Sequence, residues 1–197
     1  MNDPSKPSTT PARTIGAHDV VRRAYNNAIT ACARLHSFAH GVRPDLGSRI
    51  GRQQELLAAD DLVVFAINAR RLIETTIGRE NALKKHHFRC MEKGGRLAYR
   101  PFWDVINIVV HHKNIDIIRS RPPKEQGGDV EARYRALLEQ DPEPVPAGCI
   151  VSSDRGRTIA FRIVDLVEVF ESWILDGIVD MCLEQNLDLD DADGTWD

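Results

Sequence analysis

No apolar run in this chain of 197 residues approaches the roughly 20 residues of a membrane-spanning helix, which excludes a polytopic membrane protein. The first residues, Met1–Arg13, lack the apolar centre of a secretion signal. They are rich in Pro, Ser and Thr, so a disordered tail is expected over residues 1–14. Cysteine is sparse. The four thiols, Cys32, Cys90, Cys149 and Cys182, show no C-x-x-C spacing, which excludes a paired-cysteine zinc motif or a dithiol redox centre. They read as reduced, mostly buried thiols of a cytoplasmic protein. A formal charge of −3 means no global basic field to draw nucleic acid, although a local basic cleft stays open. A glycine-rich phosphate loop, the chain order of a Ser-His-Asp triad and internal repeats are all missing.

What is present is ordinary globular composition, 42% apolar and 28% charged residues, enough for one domain over residues 15–186. An acidic tail, 187–197, is expected to be disordered. Val21, Tyr25, Ala28, Cys32, Leu35 and Phe38 recur at helical spacing and predict a first helix from Ala17 or His18 to about Ala39, closed by Gly41 and Pro44. Leu62, Phe65, Ala66, Ala69, Leu72, Ile73 and Ile77 predict a second, from about Gln53 to Thr76. Its far side carries Val63, Val64 and Ile67 as well. A helix apolar on both sides is buried on both sides, so a homodimer is expected. Arg70 and Glu74 form an i, i+4 pair on this helix; for Arg70 and Arg71 a phosphate contact is the sharper alternative to structural pairing.

The stretch Tyr99–Arg119 is where function is expected. Pro101 suits a helix start. From there Phe102, Trp103, Val105, Ile106, Val109 and Val110 share one face, while Asp104, Asn107 and His111 form a narrow polar ridge opposite, with His112 at its margin. Asn107 and His111 are i, i+4 neighbours, and histidine is the commonest general acid or base. The preceding segment, Gly78–Arg100, gathers Lys84, Lys85, His86, His87, Arg89, Lys93, Arg96 and Arg100; it reads as a basic loop, broken at Gly94-Gly95, and as the best local grip for a phosphate backbone. His36 and His40 stand at a metal-chelating spacing without a third ligand. His86, His87, Cys90 and a later histidine are an untidy zinc set, so no metal or other cofactor is expected.

Beyond the histidines, Asn114–Arg119 alternates as a short strand. Val130–Glu139 reads as a short helix and Asp141–Pro146 as a stiff connector. A hairpin follows, with strands Cys149–Ser152 and Thr158–Ile163 around an Asp154-Arg155-Gly156 turn. Asp165 and Glu168 read as a capping box opening the last helix, with Leu166, Phe170, Trp173, Ile174, Ile178, Met181 and Cys182 as its core stripe to about Asn186. The expected fold is mainly α: a bundle of four to five helices with a small β-hairpin or three-stranded sheet before the last helix.

Three stretches, "FAINARRLIE", "FWDVINIVVHHKNIDI" and "IVDLVEVFESW", make the chain resemble the HEPN-like helical families, including abortive-infection members, loosely over Asn27 to Gln185. The resemblance implies a dimeric, metal-independent RNase of a toxin or phage-defence system. In that motif an Arg and a polar residue precede a His; here His111, or His112 in a shifted register, takes the histidine position and Asn107 the polar one. The resemblance thus implies His111 as acid or base, oriented by Asn107, with RNA held by Arg70, Arg71, Lys84, Lys85 and Arg100. The motif's Arg position is occupied by Ile106, which removes the charge that would stabilise the scissile phosphate. That departure favours the alternative of a non-catalytic dimeric adaptor or regulator that binds a nucleotide or a protein partner.

Overall fold

A computed structural model describes residues 17–40, 49–80, 87–92, 96–118 and 148–184. In chain order the elements are α1 (Ala17–His40), α2 (Arg49–Thr75), β1 (His87–Glu92), β2 (Arg96–Pro101), α3 (Phe102–Val110), β3 (His112–Ile118), β4 (Gly148–Ser153), β5 (Thr158–Arg162), α4 (Ile163–Val169), a π-helical turn (Phe170–Ile174) and α5 (Leu175–Glu184). No described helix is long and apolar enough to cross a membrane.

The five strands form one antiparallel sheet in the order β2-β1-β5-β4-β3. This corrects the expected helical bundle with a small hairpin or three-stranded sheet. The shortfall lies in β1 and β2, which pair from His87↔Pro101 to Glu92↔Arg96. Their outward positions carry His87, Arg89, Leu97 and Tyr99, all exposed, while Cys90 is buried and Ala98 packs on the core. A ribbon with basic side chains on both faces imitates a solvated charge run, so the period of two was masked. The sheet's two edges are guarded differently. β2 ends on Pro101, and β3 opens with a register shift between His112 and Asn114 beside the exposed Lys113; bulges, lysine and proline all discourage pairing with a further strand.

One face of the sheet, carrying Cys90, Cys149, Val151, Ile159 and Phe161, merges with the buried stripes of the helices into a single core. On α1 that stripe is Val21, Ala24, Ala28, Ala31, Cys32 and Leu35; on α2 it includes Ala58, Leu62, Phe65, Ala66, Ala69, Leu72 and Ile73. The alanines let the two helices lie along one another. Gly51 is buried inside α2, which therefore begins before the expected Gln53: a glycine inside a helix reads as a loop in sequence. Gly78, at φ +78, closes the helix by donating its N–H to the Ile73 carbonyl at 2.8 Å, the left-handed stop that glycine adopts without strain.

Three rings join the layers. Phe65 meets Phe170 edge-on at 4.9 Å and Phe102 edge-on at 6.2 Å, and Phe102 stacks on Phe170 at 6.1 Å between centroids. They tie α2, α3 and the π-helical turn together. The last helix starts at Ile163, two residues before the expected cap. Asp165 instead accepts from Arg162, Nε at 2.8 Å and Nη2 at 2.6 Å, so the capping box is not formed. The expected helix Val130–Glu139, the connector Asp141–Pro146 and both tails lie outside the described residues.

All four cysteines are free and buried. Burial, reinforced by the nearby Glu171 carboxylate, pushes the Cys32 thiol up to about 12; burial and then Glu92 push Cys90 up to about 11, and burial raises Cys149 and Cys182 as well. Native protein at pH 8 is therefore expected to leave a chromogenic disulfide reagent unreduced, all four thiols reacting only once denaturant is added. Truncating Phe65 to Ala removes the ring common to both edge-on contacts and is expected to cost about 3–5 kcal/mol, read as the shift in a urea unfolding midpoint at unchanged slope.

Candidate functional site

The polar ridge of α3 faces a cleft of about 580 Å3 walled by α2, α3 and the β4–β5 turn. Asp104, Asn107 and His111 all line it, while Phe102, Trp103, Val105, Ile106, Ile108 and Val109 of the same helix are buried. His111 ends α3: at φ −101 and ψ 34 it is the last turn's cap, and its N–H donates to the Asn107 carbonyl at 3.1 Å. The Asn107 side chain does something else. Its amide donates to the Trp103 carbonyl at 3.0 Å, so Asn107 holds His111 through the backbone. His112 opens β3, its Nδ1 donates to the Val109 carbonyl at 2.9 Å, and it lies outside the cleft wall. Of the histidine pair, His111 is the one that faces the cleft.

The basic group nearest the histidine comes from α2. Arg70 Nη1 stands 3.4 Å from His111 Nε2. In that contact the guanidinium can only donate, so a hydrogen bond there requires Nε2 to accept. Arg70 is also held by Glu74, whose Oε1 accepts from Nε at 3.1 Å, and by the Trp103 ring, 5.8 Å from its guanidinium carbon. The expected i, i+4 pair is therefore present and serves to aim Arg70 at His111. Ile106 is fully buried; a guanidinium there would point into the core, whereas position 70 reaches the cleft. Arg71, one residue on, is exposed and is not part of the cleft wall. Lys84 and Lys85 lie outside the described residues.

Arg100 lines the cleft and continues into an adjoining depression with Arg96 and Glu92. Glu92 accepts from Arg96 at 2.5 Å, from Arg100 Nε at 2.7 Å and from Arg100 Nη2. Those hydrogen bonds, Arg96 first and then Arg100, hold the Glu92 carboxyl below the usual carboxylate range, and the same contact raises Arg100.

Four residues of the site gave no sign of function in the sequence. Arg79 follows Gly78 just beyond α2, Ser153 ends β4, and Arg155 and Arg157 belong to the hairpin turn. Antiparallel register explains why the turn arrives here. His112 pairs with Ser153, so the residue before β3 and the residues after β4 must meet, and Asp154 N–H donates to the His111 carbonyl at 3.1 Å. Ser153 is buried; its N–H donates to the Arg157 carbonyl at 2.8 Å, and its hydroxyl accepts from the Arg157 N–H at 3.2 Å. Gly156, at φ +73, makes the tight turn that places Arg155 and Arg157 on the cleft. The signal was the pair of arginines flanking a turn glycine. Its meaning depended on the pairing of β3 with β4.

Arg79, Arg155 and Arg157 make no ion pair among the described residues, against the acidic Glu74, Asp104 and Asp154 on the same wall. The cleft wall thus carries three guanidinium groups without an ion pair among the described residues, together with one imidazole. No three metal-ligating side chains gather among the described residues. Cys90 and His112 are held apart by the sheet order, β1 and β3 being three strands from one another. His36 and His40 lie against each other at 4.5 Å between rings. Comparison of the chain with protein-family models, with curated proteins and with solved structures found no match.

The lowered Glu92 gives a pH test. A carboxyl that ionises more readily in the folded state contributes stability that is complete above its unfolded value of about 4.3 and is lost as pH falls through the folded value. Unfolding midpoints of wild type and Glu92→Gln, measured from pH 6 downward, are therefore expected to differ most at pH 6 and to converge in acid.

Proposed function

We propose that the cleft binds a phosphodiester of RNA and cleaves it without a metal, His111 acting as the base and Arg70 as the phosphate clamp. The observation that carries this reading is the placement of Arg70 within 3.4 Å of His111 Nε2 in a cleft rimmed by Arg79, Arg155 and Arg157. His111 with its proton on Nδ1 has Nε2 free to take a proton once a ligand phosphate draws Arg70 to itself. The 2′-hydroxyl gives its proton to Nε2, its oxygen attacks phosphorus, and the P–O5′ bond breaks. A 2′,3′-cyclic phosphate and a 5′-hydroxyl result, the latter protonated from solvent in the open cleft. Arg70 and the turn arginines offset the extra negative charge on the non-bridging oxygens, the kind of electrostatic term that weighs most in such reactions. Phosphate clamping by an arginine from another helix is in keeping with the HEPN-like resemblance, which implies an Arg-assisted histidine in an RNase of a defence or toxin system.

A second reading rests on a different feature of the same residues. Arg70 already has Glu74, His111 and the Trp103 face as partners, a network sufficient to hold it for binding alone. The protein would then be a non-catalytic regulator that takes a nucleotide or a partner's phosphate in this cleft.

Labelled single-stranded RNA incubated with the protein in excess EDTA separates the two. On the catalytic reading wild type yields cyclic-phosphate ends, and His111→Ala and Arg70→Ala each lower the rate by about 10²-fold or more. Equal, background rates in all three proteins would remove catalysis. Binding is read separately: Arg155→Ala and Arg157→Ala are each expected to lower by about one the slope of log affinity against log salt. Slopes unchanged in both variants would remove the cleft as the RNA site.

A further inference from the structure

The outer side of α2 bears a second apolar line. Leu57, Val64 and Ile67 are 55%, 43% and 46% exposed, whereas Leu62, Phe65 and Ala69 on the opposite side are fully buried. In alternating steps of three and four, Leu57, Asp60, Val64, Ile67, Arg71 and Glu74 make one continuous seam. That 3.5-residue repeat is the one by which two helices wind around each other.

The charges on α2 indicate what covers the seam. The helix has two like-charged doublets, Asp60-Asp61 and Arg70-Arg71, and each is split. Asp61 accepts from Arg34 of α1 at 3.2 Å, and Arg70 turns to His111. Asp60 and Arg71 are left exposed on the seam, without an ion pair among the described residues. Eleven positions separate them, three turns and about 16 Å, so they share one side of the helix with Val64 and Ile67 between.

We infer that a second copy of this chain covers this face, the two α2 helices running antiparallel about a two-fold axis between Val64 and Ile67. In that register Val64 meets the partner's Ile67, and Asp60 meets the partner's Arg71, twice by symmetry. A parallel pairing in register opposes Asp60 to itself and Arg71 to itself. Sliding the antiparallel pair by one heptad toward the N-termini sets Asp60 against the partner's Val64 and brings the two Asp60 carboxylates within about 6 Å along the axis. Only the first register leaves both charges paired with opposite ones. It also sets Glu74, which lines the cleft, beside the partner's Leu57, so each cleft abuts the interface.

Asp60→Arg and Arg71→Asp alter exposed positions and leave the buried stripe of α2 intact; far-UV circular dichroism checks that both fold. By sedimentation velocity the wild type is expected to be a dimer, each variant a monomer, and an equimolar mixture of the two variants a dimer again, because the mixed pair restores both contacts. A wild type that stays monomeric at every concentration, or variants that stay dimeric, would overturn the proposal. Restoration of Asp60→Arg by wild type but not by Arg71→Asp would overturn the antiparallel arrangement.

Discussion

The packing of Phe65 against Phe102 and Phe170 sets where everything else in the site can be. Phe102 is the first residue of a nine-residue helix, and its ring is wedged between α2 and the π-helical turn. Once Phe102 is seated, the azimuth of α3 is fixed, and the ridge of Asp104, Asn107 and His111 has one direction to face. The same contact brings α2 alongside, and Arg70, five residues after Phe65, falls beside the end of α3. The rings are fully buried, so the apolar core supplies the rigidity with which a charged group and an imidazole are held at 3.4 Å.

Around that pair the charges divide by whether they are already satisfied. Arg70 and Arg100 each have a carboxylate partner, Glu74 and Glu92, and their geometry is set before any ligand arrives. Arg79 and the two turn arginines have none among the described residues. The first group aims; the second supplies uncompensated charge. Asp104, next to Asn107 on the ridge, sits close enough to Arg100 to add to its field, which keeps the floor of the cleft from being uniformly basic and favours an anion near the turn.

Sequence periodicity located α1 nearly to the residue and α2 at its C-terminal end, because their buried stripes are long; the first turn of α2, from Arg49, was hidden by Gly51. The β4–β5 hairpin was equally legible from its Asp154-Arg155-Gly156 turn. β1 and β2 were not, since short strands that carry Arg89, Arg96 and Arg100 among exposed neighbours have the same letters as a basic loop. For the candidate site, His111 and Arg70 both stood out in the sequence, and Ile106 next to Asn107 left any basic neighbour of the histidine to another element. Their meeting lies 41 residues apart in the chain and depends on how two helices cross, which no local pattern encodes. Arg155 and Arg157 needed one fact more, that β3 and β4 are neighbours with His112 opposite Ser153.

The order of strands has a consequence for how the protein comes to be folded. β1 and β5 are adjacent in the sheet, Met91 beside Ala160 and Glu92 beside Ile159, yet are nearly seventy residues apart. The β1–β2 ribbon and the β3–β4–β5 meander can each form early, since their contacts are closer in sequence, but joining them must await closure of a long loop, the slow kind of step in strand pairing. α2 and α3 contribute one wall of the cleft and the β4–β5 turn the other, so the cleft does not exist in either half. A chain still emerging from the ribosome carries Arg70 and His111 without Arg155 and Arg157. The basic pocket is therefore complete only in the finished fold, and loss of the C-terminal meander would dismantle it while α1 and α2 still hold each other.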